Sequence, residues 1–66
     1  MSVAKIIEIS AESETSFEDA IREGIQRASK TVKQIKSAWV EDQLVDVEGD
    51  RVVRFRVHLK VTFVLE

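Results

Sequence analysis

Between Val53 and Phe63 every second residue is apolar: Val53, Phe55, Val57, Leu59, Val61 and Phe63 alternate with Arg54, Arg56, His58, Lys60 and Thr62. Period two places the first set on one face of a β-strand and the second on the other. An apolar row of this length must be covered on its own side and paired along both edges, which makes this the central strand of a small antiparallel sheet. The rest of the chain has to supply one cover and two neighbours.

The cover is a helix. Phe17, Ala20, Ile21, Gly24, Ile25, Ala28, Val32 and Ile35 recur at three- and four-residue spacing and form one apolar stripe on a helix of about five turns. Thr15, followed three residues later by Glu18, reads as a capping box that starts the helix near Ser16. Gly24 on the stripe costs about 1 kcal/mol relative to alanine, which a close approach to the sheet explains. Glu12, Glu14, Glu18 and Asp19 stand at the positive end, and Arg27, Lys30, Lys33 and Lys36 toward the negative end, as the helix dipole favours. That accounts for the basic run without a phosphate partner, since nothing aromatic or glycine-rich accompanies it.

The neighbours lie on either side of the helix. Val3 to Ile9 is short and rich in β-branched residues, a first strand. After the helix Ala38, Val40 and Leu44 alternate with Ser37, Trp39, Glu41 and Gln43, a second strand that carries Trp39 on its polar side. Asp46 to Arg51 read as a turn around Gly49. The fold class is α+β: a β-α-β-β unit with sheet order 1-3-2 and one helix on the apolar face, using residues 1–66 as a single domain. The opposite sheet face then holds Ser37, Trp39, Glu41, Gln43, Arg54, Arg56, His58 and Lys60, and function or assembly must be sought there.

Composition narrows the function. A chain of 66 residues buries only about 60% of its unfolded surface and needs a staple. With no cysteine there is neither a disulfide nor a thiolate metal site, and the single histidine, His58, builds no zinc site alone, which leaves oligomerisation. No uncharged run approaches the ~20 residues that span a bilayer, and the N-terminus shows no secretory leader, so a soluble cytoplasmic protein without a membrane partner is expected. A net charge of −2 argues against nucleic acid as the main partner.

Catalysis finds little to work with. There is no GxSxG, P-loop or GxGxxG motif, two glycines build no phosphate cradle, and His58 has only serines, such as Ser37, to activate. No enzymatic activity is expected. Asp46, Glu48 and Asp50 flank Gly49 with a spacing loosely like that of calcium loops, but the glycine is misplaced and the closing glutamate is missing. No metal site is therefore assigned to one chain, although symmetry can gather carboxylates from several copies. Trp39 on a polar sheet face has to be covered, either by a partner subunit or by a flat ligand stacked on the indole.

Over its full length the chain resembles the dodecin family. The resemblance is carried by the β-α-β-β order, by Thr15-Ser16-Phe17-Glu18-Asp19-Ala20, by Ile25-Gln26-Arg27-Ala28-Ser29-Lys30-Thr31-Val32, and by the closing Leu59-Lys60-Val61-Thr62-Phe63-Val64-Leu65. It implies a hollow homododecamer with helices outside and sheets facing inward, and a role in flavin sequestration and storage. Flavin-binding dodecins stack flavin rings between tryptophans of two-fold mates and bond the polar ring edge with a glutamine. By the resemblance, the tryptophan position falls on Ser37 and the glutamine position on Arg56, while Trp39 stands one rung away on the same face. Riboflavin or FMN is the implied cofactor, with weak or lost binding at the usual place. A cross-strand or intersubunit pair of Arg56 with Glu41 is expected to close that pocket, with Trp39 packing alongside. The alternative is a flavin-free storage assembly for ions or another small ligand.

Overall fold

A computed structural model describes residues 3–65. β1 is Ala4–Ser13, α1 is Phe17–Ala28, β2 is Ile35–Glu48 and β3 is Arg51–Val64. The sheet order is β1-β3-β2 with both pairings antiparallel, so the strand with the longest apolar row is central. α1 lies over β1 and β3. Ala20, Val57, Leu59 and Val61 are buried beneath it, with Ile7, Ile9, Ala11, Phe17, Ile21, Ile25, Ile35 and Val40 packed around them. Phe17 meets Phe55 edge-on at 5.2 Å between ring centroids. Gly24 admits the close approach that its place on the stripe implies: a Cβ there would lie 3.0 Å from the Ala11 Cβ.

The helix has 12 residues, about three turns instead of five. Val32 and Ile35 are not on it, and Ile35 opens β2 opposite Phe63. Past Ala28 the backbone bonding tightens: the Lys30 and Thr31 amides donate three residues back, to the Arg27 and Ala28 carbonyls at 3.2 Å and 3.1 Å, while the Ser29 hydroxyl donates to the Gln26 carbonyl at 2.7 Å. Gln34 then adopts a positive φ of 61°, which turns the chain into the sheet. Of the four basic residues assigned to the helix dipole, only Arg27 lies in the last turn, and Lys30, Lys33 and Lys36 follow the helix.

The N-cap is Ser16, one residue later than the Thr15 capping box implied, and its hydroxyl accepts from the Asp19 amide at 3.0 Å. The buried Ser13 hydroxyl donates to Asp19 Oδ2 at 2.7 Å and accepts from the Thr15 amide at 2.9 Å. It thereby joins the end of β1 to the start of α1. β1 extends four residues beyond Ile9, because Ser10 to Ser13 pair with His58 to Phe55. The turn contracts to Gly49 and Asp50, with Gly49 at φ 65°, so Asp46, Val47 and Glu48 belong to β2.

The main departure is a β-bulge in β2. Val40 pairs with Leu59 but Asp42 with His58, leaving Glu41 as an extra residue. The bulge inverts the faces beyond it. Leu44 lies opposite Arg56 on the polar face and is exposed, while Gln43 lies opposite Val57 on the helix side, the reverse of strict alternation.

Candidate functional site

The polar sheet face is a ladder of cross-strand rungs. Reading β1, β3 and β2 in turn, the rungs are Ile6/Thr62/Ser37, Glu8/Lys60/Trp39, Ser10/His58/Asp42 and Glu12/Arg56/Leu44, followed by Arg54 opposite Asp46. Ser37 and Trp39 share this face one rung apart, as strand periodicity requires.

Around Trp39 the ladder gathers one ammonium, Lys60, and two carboxylates, Glu41 and Glu8. The Lys60 Nζ lies 5.7 Å from the Trp39 ring centroid and 3.0 Å from Glu41 Oε2. The hydrogen bond and charge of Glu41, reinforced by Glu8, hold the Lys60 ammonium above its ordinary pKa against a small opposing desolvation. Trp39 itself is 69% exposed, so the lysine and glutamate fix its surroundings without covering the indole.

At the other end Arg56 is held by Asp46, not by Glu41: its Nε and Nη2 lie 3.2 Å and 3.1 Å from Asp46 Oδ2. The expected Arg56–Glu41 pair is therefore not made within the chain. The bulge explains this, because it places Glu41 beside Lys60 and brings Asp46 onto the polar face diagonally from Arg56. Arg54 lies 3.6 Å from Glu12 and 3.9 Å from the same Asp46 oxygen. These pairs are part-exposed, worth at most about 1 kcal/mol each, and serve mainly to set side-chain positions.

One chain thus brings Trp39 and Glu41 to Lys60, with Ser37 one rung away, and leaves Arg56 apart. Thr62, opposite Ser37, is six residues from Arg56 along β3, about 20 Å at ~3.4 Å per residue. A site using both ends needs a second copy. The residues that sequence reasoning did not single out are Lys60 as the centre of the cluster and Asp46 as the partner of Arg56. Lys60 was readable from alternation, whereas Asp46 was hidden by its reading as a turn residue.

Two other constellations are less than they look. Ser10, His58 and Asp42 share a rung, yet His58 Nδ1 stands 3.7 Å from Asp42 Oδ2, and among the described residues no hydrogen bond joins Ser10 to His58. The three acids around Gly49 do not converge. Asp46 is engaged by two arginines, and among the described residues no group of three or more His, Cys, Asp or Glu is arranged to hold a metal ion. No helix among those residues is long and apolar enough to cross a membrane.

Comparison with known proteins agrees with this architecture. Residues 3–66 match the Dodecin family model. The calcium dodecin of Mycobacterium tuberculosis (strain ATCC 25618 / H37Rv) is 40% identical over 63 residues, which are 96% of this chain and 89% of that protein. The crystal structure of that calcium-chelating antigen, with a novel calcium-binding site, aligns at a TM-score of 0.83 and 36% identity over 98% of this chain and 93% of the other. A mutant of the Thermus thermophilus dodecin aligns at 0.94 with 30% identity, covering 100% of this chain and 98% of its own. The dodecin from Streptomyces davaonensis aligns at 0.93 with 26% identity, over 98% and 96%. The β-α-β-β order, the central two-faced strand and these matches together place the chain in the dodecin family.

Proposed function

We propose that this chain assembles as a homododecameric shell that binds and stores a small planar ligand of the flavin type, without catalysis. The supporting observation is Trp39, a 69% exposed indole on the polar sheet face, oriented by Lys60 and offering a flat surface for stacking. The remaining residues fit a flavin only in part. Arg56, where an amide would pair with the polar ring edge, presents donors only and is tied to Asp46. Binding should therefore rest on stacking and be weaker than in dodecins that keep both tryptophan and glutamine. On this face Glu8, Glu12, Glu41, Asp42 and Asp46 outnumber Arg54, Arg56 and Lys60, which favours uncharged riboflavin over the anionic FMN.

The test is a titration of riboflavin and of FMN with the assembled protein, read by flavin fluorescence. Quenching that disappears in Trp39→Ala is expected, and Ser37→Trp combined with Arg56→Gln should tighten it at least tenfold. Flavin fluorescence that stays unchanged at a large excess of protein would sink the stacking reading. A second reading, ion storage, is favoured by the 40% identity to a protein named calcium dodecin. Since no described acidic group of one chain is arranged as a metal site, it requires carboxylates gathered from several copies. Calcium titration of the assembly by calorimetry tests it.

A further inference from the structure

Stacking on an indole does not by itself choose among flat rings, since every such ring has a face to offer. What stands beside the indole makes the choice. Lys60 Nζ and Glu41 Oε2 lie 3.0 Å apart next to Trp39, with the ammonium 5.7 Å from the ring centroid. Both side chains are partly exposed, so a molecule lying on the indole can reach them.

The pair has bonding capacity to spare. An ammonium carries three donors and a carboxylate about four acceptor sites, and the single contact between them uses one of each. The β-bulge is what makes the carboxylate available: Asp42 takes the ladder position opposite His58, and Glu41, the extra residue, turns its side chain to Lys60, which lies opposite Trp39. Arg56 with Asp46 is also a donor–acceptor pair on this face, at 3.1 Å, but it has no ring beside it, because Phe55 on β3 meets Phe17 on the helix side. Only at Trp39 do a stacking surface and such a pair coincide among the described residues.

We infer that Lys60 and Glu41 form the polar subsite of the Trp39 surface and select a flat heterocycle whose edge carries an N–H beside a C=O, a lactam or cyclic imide; this rests on the stacking reading and names the ligand class within it. The ammonium donates to the ring carbonyl, and the carboxylate accepts from the ring N–H. Amide bond lengths put the nitrogen and oxygen of such an edge about 2.2 Å apart. Partners 3.0 Å apart reach both atoms with a splay of about 0.8 Å, small against the spread of ordinary hydrogen-bond geometry. Glu8 lies opposite Lys60 on β1 and, with Glu41, sets two carboxylates against one ammonium. That balance suits a neutral ring and disfavours an anionic one.

The test compares riboflavin, whose pyrimidine edge has an N–H between two carbonyls, with 3-methylriboflavin, in which a methyl group replaces that hydrogen. Both are titrated with the assembled protein and followed by flavin fluorescence. The methyl compound should bind about tenfold more weakly, as expected for a lost hydrogen bond to a charged group. In Glu41→Ala the two compounds should bind alike, and Lys60→Met should weaken both while leaving Trp39-dependent quenching in place. Equal affinities in the unmodified protein, a comparison that needs no variant, overturn the subsite and leave stacking intact, as does a difference that survives Glu41→Ala. Absence of quenching with both flavins overturns the stacking reading and the subsite together.

Discussion

The two halves of the β2–β3 hairpin are built from the same alternation and put to different use. In the proximal half Val57, Leu59 and Val61 lie beneath α1 and are buried, and the opposite face presents Trp39, Lys60 and Glu41. In the distal half the helix-side valines are bare, and the opposite face is tied down by the Asp46 link to Arg54 and Arg56. Alternation fixes which residues share a face. Whether a face becomes core, ligand surface or interface depends on what lies over it, and a helix of 12 residues covers only half of a strand pair 14 residues long.

The sharpest break in this comparison comes from removing the same kind of atoms from each half. Leu59→Ala takes apolar atoms from a site 1% exposed and should destabilise the chain by about 2–5 kcal/mol in denaturant unfolding. Val45→Ala, at 38% exposure, should cost well under that within a single chain, with its main effect on assembly. Similar losses at the two positions, measured in dilute monomer, would show that the distal half is as well covered as the proximal one.

That contrast was only partly legible in the sequence. The alternation from Val53 to Phe63 was sufficient to make β3 central and to give the 1-3-2 order, because a long two-faced row admits few arrangements. The helix stripe overran its true end, since Val32 and Ile35 keep helical spacing while the change to three-residue bonding at Lys30 and Thr31 leaves no mark on hydrophobic periodicity. The bulge at Glu41 was equally silent: one extra residue among Val40, Glu41 and Asp42 has no composition of its own. Everything downstream of it in β2 changed face, so Leu44 moved to the polar side and Asp46, read as a turn residue, displaced Glu41 as the partner of Arg56.

A smaller effect should sharpen the distinction on the polar face. Asp46→Ala removes the carboxylate that Arg54 and Arg56 share and leaves Arg56 without its partner, while Arg54 keeps Glu12 at 3.6 Å. The side chains are about a third or more exposed, so a loss of about 0.5–1 kcal/mol is expected, shrinking as salt is raised. Trp39 fluorescence should not change, because the two clusters share no residue. A shift in Trp39 emission on this substitution would show that the ends of the ladder are coupled.

The smallest expected effect lies at the proximal cluster and is set by pH. Glu41, by hydrogen bond and charge, raises the Lys60 pKa above its ordinary value, with Glu8 adding to it. A cation stabilised by folding contributes fully below the unfolded pKa, near ~10.4, and its contribution is lost as pH rises through the higher folded value. The loss therefore lies on the alkaline side, with no effect of Lys60 between pH 6 and 9. Deprotonation should also release the ammonium from the Trp39 ring 5.7 Å away and change its emission. The chain has one tryptophan and no tyrosine, so an alkaline fluorescence titration reports this contact without interference from tyrosinate. A transition above the ordinary lysine pKa, absent in Lys60→Met and moved downward in Glu41→Gln, is expected. A transition that survives Lys60→Met would assign the signal to another group and remove Lys60 from the surroundings of the indole.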